Sequence, residues 1–116
     1  MKKVVIKKLE KPEIEVIQEQ LQIFASILSQ KFKNASIYDF LDCIIAVDIS
    51  TQLYYILRNK IEKDNVFQNL TLTLSQASII SKASNFNELD SFKTDYSKNV
   101  MLKISNNIDQ QLKSLV

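Results

Sequence analysis

The absence of glycine is the feature that most restricts the fold of this chain. None of its 116 residues is glycine, and Pro12 is the single proline. Sandwiches and barrels of many short strands need many tight turns, and such turns favour glycine because it enters the left-handed backbone region without a steric penalty. Long helices need fewer turns. The sequence therefore predicts an all-α, four-helix bundle-like domain with a short basic strand or arm at its N-terminus.

Residues 36–62 form the most apolar stretch of the chain. Apolar side chains in this stretch cover most of a helical circumference, so neighbouring helices are expected on several sides. We predict that this helix is the buried centre of the domain. Ile44 and Leu53 are then core residues, and truncation of either to alanine is expected to destabilise the domain by about 2–5 kcal/mol.

Three further helices are predicted at 12–33, 66–84 and 87–115. Pro12 favours a helix start, and apolar residues at spacings of three and four follow it. The segment 66–84 is ambiguous, because residues 70–74 alternate like a strand whereas the wider spacing is helical. Its length and its helical neighbours favour a helix. The helical domain is expected to comprise residues 12–116, after an arm of residues 1–11.

The residue inventory excludes most familiar chemistry. Without histidine there is no Ser-His-Asp site, and the single cysteine, Cys43, cannot build a structural zinc site or an internal disulfide. Without glycine there is no phosphate-binding P-loop. We therefore expect no enzyme activity, no cofactor and no metal. No signal peptide is recognised, so a cytoplasmic location is expected.

A membrane span is not expected, although residues 36–62 are long enough to cross a bilayer. A charged residue near the bilayer centre costs roughly 2.5–3.5 kcal/mol. Asp39, Asp42 and Asp48 all fall inside the window that would cross the bilayer.

Positive charge is concentrated at the N-terminus. Residues 1–11 contain five lysines and one glutamate, a net charge of +4, whereas the other 105 residues carry a net charge of −2. Such asymmetry points to a polyanionic partner, with a solubilising tail as the alternative. The candidate nucleic-acid-binding residues are Lys2, Lys3, Val5, Lys7, Lys8 and Lys11.

Residues 3–9 have the period-two pattern of a strand, in which Val4 and Ile6 face one side and Lys3, Val5 and Lys7 face the other. A strand must pair to satisfy its backbone groups, most simply with its twin in a dimer. Deletion of residues 1–8 is expected to abolish nucleic-acid binding and to leave the helical domain folded.

This pattern resembles the ribbon-helix-helix DNA-binding proteins, a family that includes relaxosome accessory proteins of conjugative plasmids. The resemblance covers residues 2–57, and Asn34, Ala35 and Ser36 match its turn and cap. It implies a dimer in which paired strands read the major groove of DNA. Lys3, Val5 and Lys7 match the outward positions.

The alternative hypothesis is a protein-interaction module, such as an immunity protein, an inhibitor or a helical subunit of a larger assembly. Tyrosine and arginine are enriched at the energetic centres of protein interfaces. The candidate interface residues are Tyr54, Tyr55 and Arg58.

Overall fold

The computed structural model describes residues 2–31, 37–86 and 93–115, and six elements lie within these ranges. The predicted turn and cap at 34–36 lie outside the described residues. The predicted helix at 87–115 is wrong at its start, because the last helix begins at Asp95, after the N-cap Thr94. In chain order the elements are β1 (Val4–Glu10), α1 (Lys11–Lys31), α2 (Ile37–Ile61), β2 (Phe67–Leu72), α3 (Leu74–Ser84) and α4 (Asp95–Ser114).

The prediction of an all-α fold is wrong, because β1 and β2 form a two-stranded antiparallel sheet. Val4 pairs with Leu72, and Ile6 pairs with Leu70. All four of these side chains are buried, so one face of the sheet packs on the helices. The partner of β1 is thus a strand of the same chain rather than a twin strand from a second copy.

The predicted helix at 66–84 is wrong in its first half. Residues 67–72 form β2, in which buried and exposed side chains alternate. Helix α3 begins only after Thr73, whose hydroxyl accepts the N–H of Gln76 at 3.1 Å. The Gln76 side chain in turn accepts the N–H of Thr73 at 3.0 Å. This capping box satisfies two backbone donors and fixes the junction between strand and helix.

A bulge in β1 brings two consecutive lysines to the surface. Lys7 and Lys8 together lie opposite the single residue Asn69, between the pairs formed by Ile6 and Leu9. Lys8 has a φ of 57°, which costs a residue other than glycine about 1 kcal/mol. Its N–H donates to Asn69 Oδ1 at 3.1 Å. The extra residue lets Ile6 and Leu9 both face the core while Lys7 and Lys8 both face solvent.

Helix α1 is the central element of the domain. It packs against α2, α3, α4 and β1. Its apolar residues recur at the spacing of a helix, so that one wide face is withdrawn from water. The buried apolar residues of this face are Ile14, Val16, Ile17, Leu21, Phe24 and Leu28.

The prediction that α2 is the buried centre is wrong. Ile44 is 40% exposed and Ile45 is 56% exposed. Among the described elements, helix α2 packs mainly against α1 and α3, and these cover one of its faces. An unbroken apolar sequence shows that several faces of a helix are able to pack. The number of neighbouring elements in the fold decides how many of these faces are covered. The buried residues of α2 are Ala46, Ser50, Leu53 and Leu57.

Glu13 joins the start of α1 to β1 and α4. Its Oε1 accepts the N–H of Glu10 at 3.0 Å, and its Oε2 accepts Lys103 Nζ at 2.9 Å. Burial acts to raise the pKa of the Glu13 carboxyl, but the Glu10 N–H and the Lys103 ammonium outweigh it and hold that pKa below its usual value of 4.5.

We expect Glu13→Gln to destabilise the domain by about 1–3 kcal/mol at neutral pH, because a charged acceptor is lost from a nearly buried position. A lowered carboxyl pKa in the folded state stabilises above the unfolded pKa, and this contribution fades as the pH falls through the folded pKa. The difference from the unmodified chain should therefore shrink over the acid range below pH 4.5. Urea unfolding across this range measures it, with Glu15→Gln, at an exposed position, as the matched control.

Candidate functional site

The outward face of the sheet carries the predicted basic residues. Val5 lies opposite Thr71 on this face, and Lys7 and Lys8 lie opposite Asn69. Lys3 immediately precedes β1 and is exposed, as are Lys7 and Lys8. We call this surface the ribbon face; its members are Lys3, Val5, Lys7, Lys8, Asn69 and Thr71.

The lysines of the ribbon face are available to a partner. Among the residues that the structure describes, Lys3, Lys7 and Lys8 form no ion pair. Three ammonium groups on one small face attract polyanions when, as among the described residues, no carboxylate forms an ion pair with them.

The other two predicted lysines lie at the margins of this face. Lys2 Nζ donates to the Leu115 carbonyl at 3.3 Å. Lys11, the first residue of α1, lines a shallow cleft together with Glu10 and Asp64. These carboxylates weaken the local positive potential, so Lys11 is a weaker candidate for anion binding than the lysines of the ribbon face.

Gln111 closes the free edge of β1. Its Oε1 accepts the Val5 N–H at 3.0 Å, and its Nε2 donates to the Val5 carbonyl at 2.8 Å. Nε2 also donates to Asn107 Oδ1 at 2.6 Å. This side chain makes the two hydrogen bonds that another strand would make at Val5, so a strand from a second copy would have to displace it.

The structure brings the three predicted interface residues together at the C-terminal end of α2. The rings of Tyr54 and Tyr55 meet edge to face with their centroids 5.5 Å apart. Arg58 Nε lies 3.4 Å from Glu62 Oε1. Glu62, and to a lesser degree Tyr54, raise the pKa of the Arg58 guanidinium. Tyr55 is 61% exposed, whereas Tyr54 is half-buried and lines a groove of about 500 Å³ between α1 and α2.

Sequence reasoning missed a larger surface on the same helix. The outer face of α2 exposes six large apolar side chains, which a soluble surface normally avoids grouping. Asp48 belongs to this face, where it is exposed and its carboxylate accepts a hydrogen bond from Gln52 Nε2 at 3.1 Å. The six side chains are Phe40, Leu41, Ile44, Ile45, Tyr55 and Ile56.

Within the described residues, one segment, Asp39–Ile61 of α2, is long and apolar enough to cross a membrane by length and composition alone. Core helices of soluble proteins meet the same criterion, but only 22% of the apolar stretch is buried here. Burial in the core therefore does not account for the apolar side chains on the outer face of α2.

Comparison with known proteins assigns no family to the chain. Neither the models of known protein families, nor the curated proteins, nor the solved structures contain a match to it. Its function must therefore be inferred from its own two surfaces, the ribbon face and the outer face of α2.

Proposed function

We propose that this protein is a non-enzymatic nucleic-acid-binding protein that holds its ligand on the ribbon face. The observation that carries the proposal is the grouping of Lys3, Lys7 and Lys8, exposed and without carboxylate partners among the described residues. Nucleic acids have a regular array of negative charge, and their binding by lysine is driven by the release of condensed counterions.

The dimensions of the ribbon suit a duplex. The major groove of DNA admits a two-stranded ribbon. At about 3.3 Å per residue, Lys3 and Lys7 are separated by roughly 13 Å along β1, while phosphates recur every 3.4 Å of axis along one DNA strand. Side chains at the two ends of the ribbon are therefore spaced to reach different phosphates of one duplex.

The remaining members of the ribbon face are suited to contact bases. Val5 and Thr71 present methyl groups, and Asn69 presents an amide whose Oδ1 also accepts the Lys8 N–H and keeps a second lone pair. Methyl groups favour the thymine methyl in the major groove, and asparagine pairs with the edge of adenine. The ribbon-helix-helix proteins build a comparable surface from strands of two chains, whereas here β1 and β2 supply it from one chain.

The proposal predicts a loss of salt-dependent binding in the variant Lys3→Gln, Lys7→Gln, Lys8→Gln. Each phosphate contact that is lost should make the slope of log affinity against log salt shallower by about 1. Fluorescence anisotropy with a labelled duplex, starting from about 50 mM salt, measures both the affinity and the slope. A labelled single strand, titrated in parallel, tests the preference for a duplex.

A matched variant removes the same charge elsewhere. Lys63→Gln, Lys82→Gln, Lys98→Gln changes three exposed lysines outside the ribbon face and should retain both the affinity and the slope. Equal losses of affinity in the two variants would show that binding depends only on net charge, and this result would contradict the proposal. Failure of the unmodified chain to bind either nucleic acid at low salt would also overturn it.

A further inference from the structure

The outer face of α2 has the repeat of a helix–helix interface. Positions 41, 45, 48, 52, 55 and 59 are separated by alternating steps of four and three, which is the spacing of a heptad seam. All six are exposed, on the side of α2 opposite its buried residues. The seam reads Leu41, Ile45, Asp48, Gln52, Tyr55 and Asn59.

The area of this face is sufficient for an interface. A fully exposed large side chain has roughly 180 Å² of accessible surface. The six exposed apolar side chains of α2 are each 37–61% exposed. Together they therefore present about 500 Å² of accessible surface. A standard interface buries about 800 Å² per partner, of which somewhat more than half is apolar. One face of α2 therefore supplies the apolar area that one side of such an interface requires.

The charges on α2 disfavour a lipid surface as the occupant. Helices that lie on membranes carry lysine and arginine around their apolar face. The first half of α2 instead carries Asp48 within this face and Asp42 at its margin, both exposed. Anionic headgroups would repel these carboxylates, so a protein partner suits the face better.

The seam is complementary to itself when two copies of α2 run antiparallel. When the two helices are centred at the level of residue 50 along their axes, Ile45 of one copy lies opposite Tyr55 of the other. Asp48 of one copy then lies opposite Gln52 of the other. Gln52 Nε2 already donates to Asp48 of its own helix at 3.1 Å, and the second hydrogen on this nitrogen remains for the Asp48 of the other copy. A polar layer of this kind fixes the register of a helix pair.

A parallel arrangement is less favourable. It would set Asp48 against Asp48 and align the two helix dipoles. In the antiparallel arrangement, Asp48 meets Gln52 instead, and the two helix dipoles oppose each other. We propose that the outer face of α2 is the interface of an antiparallel homodimer formed by α2 from two copies of this chain.

The dimer is tested by sedimentation velocity over a range of protein concentrations. The unmodified chain should shift from one to two copies as its concentration rises. Ile45→Glu should abolish the shift, because it sets a carboxylate against Tyr55 of the other copy without disturbing the core. Leu102→Glu, at a site on α4 that is 60% exposed, is the matched control and should still dimerise.

The orientation is tested by disulfide cross-linking in a Cys43→Ala background. The antiparallel seam places Leu41 of one copy opposite Asn59 of the other. A mixture of Leu41→Cys chains and Asn59→Cys chains should therefore form a mixed disulfide on mild oxidation, and neither variant should cross-link alone. Efficient cross-linking of either single variant alone would indicate a parallel pair and overturn the proposal.

Two other outcomes would also overturn the dimer. One is a chain that remains monomeric at all concentrations. The other is a chain that floats with vesicles of anionic phospholipid and loses this association on Ile45→Glu, which would identify a membrane as the occupant. The variant Lys3→Gln, Lys7→Gln, Lys8→Gln should still dimerise, so failure of nucleic-acid binding and failure of the dimer are separable.

Discussion

A chain that lacks residues 2–8 is expected to lose its cooperative fold. Val4 and Ile6 are 0% and 2% exposed, and burial of each contributes about 1.5–3 kcal/mol. The deletion also leaves Leu70 and Leu72 uncovered and removes the strand partners of residues 70–72. The combined loss approaches the whole stability of a small domain, which is about 5–15 kcal/mol.

Circular dichroism and urea unfolding measure this loss, and the sequence alone predicts the opposite result. A removable arm would leave the helical signal and the unfolding midpoint unchanged. The control is Lys3→Gln with Lys7→Gln, which keeps β1 and changes only exposed side chains; it should unfold at the same midpoint as the unmodified chain. A folded deletion variant would contradict the role of β1 in the core.

Phe24→Ala is expected to destabilise the domain by about 3–5 kcal/mol. Phe24 is 0% exposed, and its ring meets that of Phe86 edge to face at 5.1 Å. The substitution removes this aromatic pair, worth about 0.5–1.5 kcal/mol, and leaves a cavity in the face of α1 on which the other elements pack. Urea unfolding gives the change in the free energy of unfolding.

A matched pair on α2 checks that burial rather than residue type decides the effect. Leu53 is 0% exposed and Ile44 is 40% exposed. At a concentration where the chain is monomeric, Leu53→Ala should cost about 2–5 kcal/mol, whereas Ile44→Ala should cost less than about 1 kcal/mol. Equal losses of stability in the two variants would support the prediction that α2 is the buried centre of the domain.

The sequence predicted what depends on near neighbours along the chain. Pro12 and the spacing of apolar residues placed the start of α1 within one residue of its observed position. The alternation around Val4 and Ile6 identified which side of β1 faces the core. It also carried a signal that was missed: Lys7 and Lys8 separate two buried residues, Ile6 and Leu9, and this break in the period of two marks the bulge.

Other features depended on partners distant in the chain. The apolar residues of segment 67–72 fit both helical and strand spacing. The segment is a strand because its backbone pairs with β1, which lies some 60 residues earlier in the chain. The exposed lysines were predicted, but the closure of the β1 edge by Gln111 was not. No local pattern reveals that an amide on the last helix reaches Val5.

The sequence by itself therefore determined the largely helical character of the chain, the inward and outward sides of β1 and the concentration of positive charge in residues 1–11. Only the tertiary structure decided that β1 is a strand of the core sheet, that α1 is the central helix and that α2 leaves an apolar face exposed. The physical reason is that periodicity states which side chains avoid water, whereas the element that covers them depends on which surfaces meet when the chain closes on itself.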